Sequence, residues 1–337
     1  MTPRLLIVGD PSPTHVGAHL LEAAMRLGVD ATICDTRDAY RGPWLRRKLA
    51  WRIGGHRPAR LAAFSARVID AVTTWRPDIL LATGLAPLTA SALATIGRRG
   101  IRRLNFLTDD PWNPAHAAPW FRRALPEYDV VFSPRHANID DLRHAGVPRV
   151  EYLQFGYSPR AHCPAGPLTS AERARFDADV MLAGGADETR VQVVAPLIRA
   201  GLSVALYGGY WDRFAATRRH DRGRLDEAEL RTATAAARVC LGLVRRANRD
   251  GHSMRTFEVP AMRGCFLPER TADHLALFGA EGDAVRYFDG PADLVSHVRW
   301  LLANSGERER LAARAHDVIT SGRHTYADRL AAMLGAA

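Results

Sequence analysis

Residues 250–269 read DGHSMRTFEVPAMRGCFLPE. A polar loop carrying Asp250, His252, Ser253, Met254 and Arg255 runs into a short helical segment with Glu258. That segment breaks at Gly264 and closes on the apolar run Cys265-Phe266-Leu267. Polar turn, short helix, glycine and strand in this order are how an α/β domain presents a helix N-terminus, with its free N–H groups and dipole, to an anion. Arg255 adds a planar fork of donors suited to phosphate. Glu258 lies about one helical turn further along the same face. Phosphates on amides and guanidinium, with ribose hydroxyls on the acid, would suit a nucleotide. A capped helix with a surface ion pair fits the same residues.

Working outward, Val239–Val244 reads as a strand that delivers Arg245 and Arg246 to this stretch. Upstream, strands and helices alternate, as in a doubly wound parallel sheet. Leu5–Val8 is an apolar strand ending in Gly9-Asp10-Pro11, with a helix predicted over about 18–27. Strands follow at 31–34, 79–82, 103–107, 128–133 and 150–153, with helices over 59–75, 87–97 and 136–144 between them. A Gly/Pro-rich passage from Gln154 to Pro164 reads as a linker, and the alternation restarts with a strand at 179–183 and a helix over 188–200. The expected division is 1–158, 159–323 and a C-terminal helix over 324–337 that packs back on the first domain.

The central stretch resembles the donor-site motif of the group-1 glycosyltransferases, nearest to the branch with the spore-maturation (CgeB-like) proteins. The resemblance rests on Arg255, Phe257, Glu258, Ala261 and Gly264, on Glu269-Arg270-Thr271, and further on Tyr287-Phe288-Asp289 and His324-Thr325-Tyr326. It implies the GT-B fold, two doubly wound Rossmann-like domains facing across a cleft. It also implies a UDP- or GDP-linked sugar donor, an EC 2.4 activity with retention, and no required metal or cofactor. The superfamily carries two acids with seven residues between them; Glu258 matches the second, and the first falls on Asp250. In such proteins a loop like Gly184-Gly185, with a basic residue like Arg190, approaches the donor diphosphate, and Arg246 and Ser253 lie on neighbouring loops. The turn Tyr207-Gly208-Gly209-Tyr210-Trp211 would hold the base; Tyr207 or Trp211 would stack on it, or else fill the core.

In the first half, Asp109-Asp110-Pro111-Trp112 follows a strand at the sheet edge where ligands bind. One carboxylate there would orient or deprotonate the acceptor, or the pair would simply make a turn. His15 in the first loop would meet sugar or acceptor, or cap a helix. The acceptor class stays open between small molecule, glycan and protein. A binding or scaffold protein without turnover is the alternative function.

At 337 residues the chain is long enough for two domains, and 47% apolar with 24% charged residues is globular composition. No run approaches the roughly 20 apolar residues of a membrane span. Leu5 opens a strand with no leader-like segment before it, so a cytoplasmic protein is expected. Four dispersed cysteines (Cys34, Cys163, Cys240, Cys265) suit reduced thiols, and no metal-ligand set stands out. The net charge of +10 comes almost wholly from Arg, and Lys48 is the one lysine. No nucleic-acid-binding motif accompanies it. The segment Arg41–Arg52 mixes basic residues with Trp44 and Trp51. It suits peripheral contact with an acidic membrane surface, or a solvated helix face.

Overall fold

A computed structural model describes residues 3–52, 55–115 and 118–337. The chain forms two compact units. The first holds Met1–Gln154, Ala247–Asp250 and Tyr326–Ala337; the second holds Phe155–Arg246 and Gly251–Thr325. The division at Gln154/Phe155 lies inside the Gly/Pro-rich passage.

In the first unit the apolar runs become β1 (Leu5–Gly9), β2 (Ala31–Asp35), β3 (Ile79–Thr83), β4 (Arg102–Phe106), β5 (Val130–Ser133) and β6 (Val150–Tyr152). Between them lie α1 (Val16–Arg26), α2 (Trp44–Arg52), α3 (Leu61–Trp75), α4 (Ala90–Gly97), α5 (Pro119–Arg122) and α6 (Ala137–His144). The sheet order is β2-β1-β3-β4-β5-β6, and every pairing is parallel. Parallel strands covered on both faces need apolar residues throughout, which is why Leu5, Leu6, Ile7 and Val8 are all fully buried. Phe64, Val68 and Val72 of α3 pack with Leu6, Val8 and Leu80 in one core. The order reverses between β1 and β3, so the loops after Gly9 and Thr83 flank the switch point where such sheets bind ligands. α1 starts so close to β1 that a Cβ on Gly17 would sit 2.7 Å from the Asp10 carbonyl oxygen.

In the second unit α7 (Ser170–Phe176) precedes β7 (Ala178–Ala183), α8 (Glu188–Arg199), β8 (Val204–Tyr207), α9 (Glu227–Ala236) and β9 (Ala237–Gly242). Then follow α10 (Arg255–Ala261), β10 (Phe266–Pro268), α11 (Ala272–Phe278), α12 (Pro291–Ala303) and α13 (Ser305–Ser321), before α14 (Tyr326–Gly335) returns to the first unit. The parallel sheet runs β10-β9-β7-β8. Its core joins Val180, Leu182, Leu206, Val239 and Leu241 to Leu294 and Val298 of α12. The reversal lies between β7 and β9. α14 packs with α1 and is part of the first unit.

Three features depart from the sequence reading. The segment after β2, read as a basic loop, forms a 3-10 turn (Thr36–Tyr40) and then α2. Tyr287-Phe288-Asp289 makes only a single bridge, Phe288 to Glu269, because Gly290-Pro291 opens α12 two residues later. Helices α7 and α9 were not anticipated, although Thr169/Glu172 and Asp226/Glu229 form capping boxes legible in sequence.

Gly208, at the end of β8, has φ +131, and a Cβ there would meet the Gly184 carbonyl oxygen at 2.6 Å. Gly208→Ala should therefore destabilise the protein by roughly 1–3 kcal/mol, the cost of a strained backbone. A urea midpoint unchanged from wild type would contradict this packing.

Candidate functional site

The second unit gathers charge at the C-terminal ends of β7 and β9. The Gly184 N–H donates to the Tyr207 carbonyl at 2.8 Å and the Ala186 N–H to Gly209 at 2.8 Å, so the loops after β7 and β8 brace one another. Asp187 caps α8 by accepting the Arg190 N–H at 2.9 Å. This cap fixes the first turn from which the Arg190 side chain leaves. Its guanidinium reaches across both strand ends, donating to the Gly185 carbonyl at 2.9 Å and the Leu243 carbonyl at 3.3 Å. From the other side, Arg255 Nε donates to the Ala183 carbonyl, the last residue of β7, at 3.2 Å. Arg255 Nη1 pairs with Glu258 Oε2 one turn along α10. Two guanidinium groups are thus pinned over the end of one central strand.

Glu258 is only 1% exposed, and its other oxygen lies 3.5 Å from His162 Nε2. The sequence reading gave this carboxylate to a ribose; in the structure its oxygens face Arg255 and His162. Glu269, also buried, accepts the Val244 N–H at 3.2 Å and has Arg246 at 3.9 Å. Burial pushes its pKa up, while the Val244 N–H, Arg246 and Arg190 pull the other way. Arg246 itself is largely exposed at the rim.

Other expected site residues have different work. His252 is buried, its Nδ1 2.7 Å from Asp273 and its Nε2 accepting the Phe155 N–H at 3.3 Å, so both ring nitrogens are used inside the unit. The Ser253 N–H donates to Thr256 Oγ1 at 3.1 Å, and Met254 accepts the Phe257 and Glu258 N–H groups. The expected helix N-terminus is therefore that of a seven-residue helix with the Ser253 amide already engaged, and the guanidinium groups remain the stronger anion ligands. Asp250 belongs to the first unit, where it is buried against Arg135.

Trp211 is 0% exposed and donates its indole N–H to the Gly184 carbonyl at 2.8 Å; Tyr207 is buried as well. Neither is placed to stack on a base. The exposed aromatic in this turn is Tyr210, 53% exposed, with φ 75 and Arg213 over its ring at 4.1 Å. The sequence reading passed over it, although a residue following Gly-Gly is where a turn exposes a ring.

In the first unit Asp110 is fully buried. It accepts from the Trp112 N–H at 2.9 Å, Asn138 Nδ2 at 3.0 Å and Arg249 Nε at 2.8 Å. Both of its oxygens are engaged by these donors. Asp109 is half-buried, with Thr108 Oγ1 donating at 3.3 Å. His15 is exposed at the start of α1, its Nε2 3.7 Å from Asp10.

Residues 190–335 match the glycosyl transferase-like family model. No curated protein matches the sequence. Among solved structures, the chain is similar to sucrose-phosphate synthase from Thermosynechococcus elongatus, at 12% identity, TM-score 0.69, covering 100% of this chain and 98% of that one. It is similar to Anabaena HepE in complex with UDP-glucose at 12% identity, TM-score 0.65, covering 99% and 100%. The UDP-GlcNAc 2-epimerase from Neisseria meningitidis bound to UDP-GlcNAc aligns at 10% identity, TM-score 0.55, over 99% and 100%. Two parallel-sheet α/β units with these neighbours define the GT-B fold. The epimerase shares that architecture, so the fold by itself does not choose the reaction. The glycosyl transferase-like match lies in the second half of the chain and takes in Arg190, Arg246, Arg255 and Glu258.

Two outcomes test this geometry. Trp211→Ala should cost about 3–5 kcal/mol of stability, the range for emptying a buried aromatic site, whereas Tyr210→Ala should stay within about 0.5 kcal/mol. Equal denaturation midpoints for the two variants would refute the assignment. Acid should also act through His274, buried between the Glu269 carbonyl at 2.7 Å and Thr256 Oγ1 at 2.9 Å. Burial lowers its pKa from 6.5 to about 4. Between these values the unfolded chain binds the proton and the folded one does not, so His274 makes stability fall as pH drops through that window. His274→Gln should remove this component from the slope of unfolding free energy against pH; an unchanged slope would exclude it.

Proposed function

We propose that this protein moves a sugar from a nucleotide diphosphate sugar, UDP- or GDP-linked, to a small-molecule, glycan or protein acceptor. The observation that carries the reading is the pair Arg190 and Arg255 held on the Gly185, Leu243 and Ala183 carbonyls at the ends of β7 and β9. Negative charge grows on the diphosphate as the glycosidic bond breaks, and preorganised cations at that point lower the barrier. Gly184-Gly185 leaves room for phosphate oxygens, Arg246 screens the rim, and Tyr210 offers a ring face to the base. Glu258 acts through Arg255. The second unit then takes the donor and the first the acceptor, with Asp109 and His15 as acceptor-orienting groups. We assign retention of configuration, independence of metal ions and membership of the spore-maturation (CgeB-like) branch on the resemblance of residues 255–264. The relatives of known complex carry UDP-sugars, which supports a UDP-linked donor.

One observation favours a second reading, a nucleotide-sugar-binding protein without turnover. Asp250, at the place of the superfamily's first acid, is neutralised by Arg135 within the first unit. Release of UDP or GDP from donor without acceptor separates the two readings: slow hydrolysis supports an enzyme, and tight donor binding with no release supports a binder.

Arg255→Ala should lose roughly 1–3 kcal/mol of transition-state stabilisation, the worth of a charged hydrogen bond, read as a drop in kcat/KM. Glu258→Gln should weaken donor binding by less, because the Arg255 anchor on Ala183 survives. Full activity in Arg255→Ala would remove it from the site. Chelator should leave the rate unchanged, and loss that Mg²⁺ restores would overturn metal independence. Thermal shift against UDP and GDP identifies the base, since a ligand that binds the folded state raises the midpoint.

A further inference from the structure

Helix α2 (Trp44–Arg52) has no buried residue among those described. A nine-residue helix is too short to be stable on its own in water, and a helix with no buried stripe lacks the usual reason to form. Its exposed apolar side chains are large: Trp44 at 66%, Leu45 at 61%, Leu49 and Trp51. Around them the charge has one sign. Residues 41–60 hold seven cations (Arg41, Arg46, Arg47, Lys48, Arg52, Arg57, Arg60) and no Asp or Glu; the Arg46 side chain lies outside the described residues. Lys48 Nζ sits 4.6 Å from the Trp44 ring centre, so cation and ring share one face. Below them is a hollow of about 520 Å³ lined by Tyr40, Trp44, Trp51, Arg47, Lys48, Arg52 and Arg57 among others, with no acid among the described lining residues.

We infer that α2 and this hollow dock the first unit on the surface of an anionic lipid bilayer. Indole rings settle at the headgroup level, and basic side chains reach past them to lipid phosphates. Leu45 and Leu49 enter the acyl boundary, and the hollow takes a headgroup phosphate among its four cations. Duplex nucleic acid would meet the same charge but would leave Leu45 and Leu49 without an apolar partner. Contact is peripheral: among the described residues no helix is long and apolar enough to cross a membrane. The inference is independent of the donor chemistry of the second unit.

The test is sedimentation of the full chain with vesicles of phosphatidylcholine alone and of phosphatidylcholine with about one third phosphatidylglycerol, an anionic content in the range over which surface potentials attract basic segments. At ~0.1 M salt, where the screening length is about 10 Å, the partition coefficient should be at least tenfold higher on anionic vesicles and fall as salt is raised. The double variant Arg47→Glu with Lys48→Glu should lose that preference. Arg299→Glu with Arg314→Glu makes the same change in net charge on exposed positions of the second unit and should keep it. Trp44→Ala should weaken binding to anionic vesicles with the salt dependence preserved. Equal partition onto both vesicle types, or equal loss in the two charge-reversed variants, would overturn the inference. So would tighter binding to duplex DNA than to anionic vesicles at the same salt, which would make the patch a nucleic-acid surface.

Discussion

A carbonyl at the end of a parallel strand has no strand residue left to satisfy it, and in the second unit the Ala183 carbonyl is met by Arg255. That one hydrogen bond ties α10 to the central strand β7. It sets the direction of the guanidinium, and Glu258, held by His162, keeps it there. Arg190 does the same from α8, spanning the Gly185 and Leu243 carbonyls. Carbonyl dipoles and a buried carboxylate offset the repulsion between the two cations. What remains is a pair of guanidinium groups fixed on strand-end carbonyls.

The acids of the chain divide by burial. Asp110 and Asp250 lie in the first unit and neutralise Arg249 and Arg135, whose other donors reach backbone carbonyls of Ala137, Leu107 and Thr108. A buried carboxylate with a full set of donors acts as a fastener. Glu269 is buried as well but accepts a single backbone N–H, and Asp109 is half-buried beside Thr108.

Much of the fold was legible. Strand β1 and most of β3 and β7 are apolar runs, as strands covered on both faces must be, and their ends were read to within a residue or two. The short β10 was read for the same reason. Helices α7 and α9 were missed because their apolar faces are thin, though their capping boxes were present. The candidate site was legible in part. Arg255 was read from its guanidinium chemistry and Arg190 from the family resemblance, and the structure sets them on the Ala183 and the Gly185 and Leu243 carbonyls. Of the two readings open for Trp211 the structure shows the core one, and beside it the left-handed Tyr210 carries the exposed ring.

The sequence by itself determined two parallel α/β units, the loops that carry their chemistry, and the basic, aromatic character of α2. These follow from local periodicity and residue chemistry, which travel with the chain. Only the tertiary structure decided which of two neighbouring acids stays exposed, that Glu258 faces Arg255, and that α2 lies bare on the first unit. Those outcomes depend on burial and on partners distant in sequence, and neither is a property of any residue taken alone.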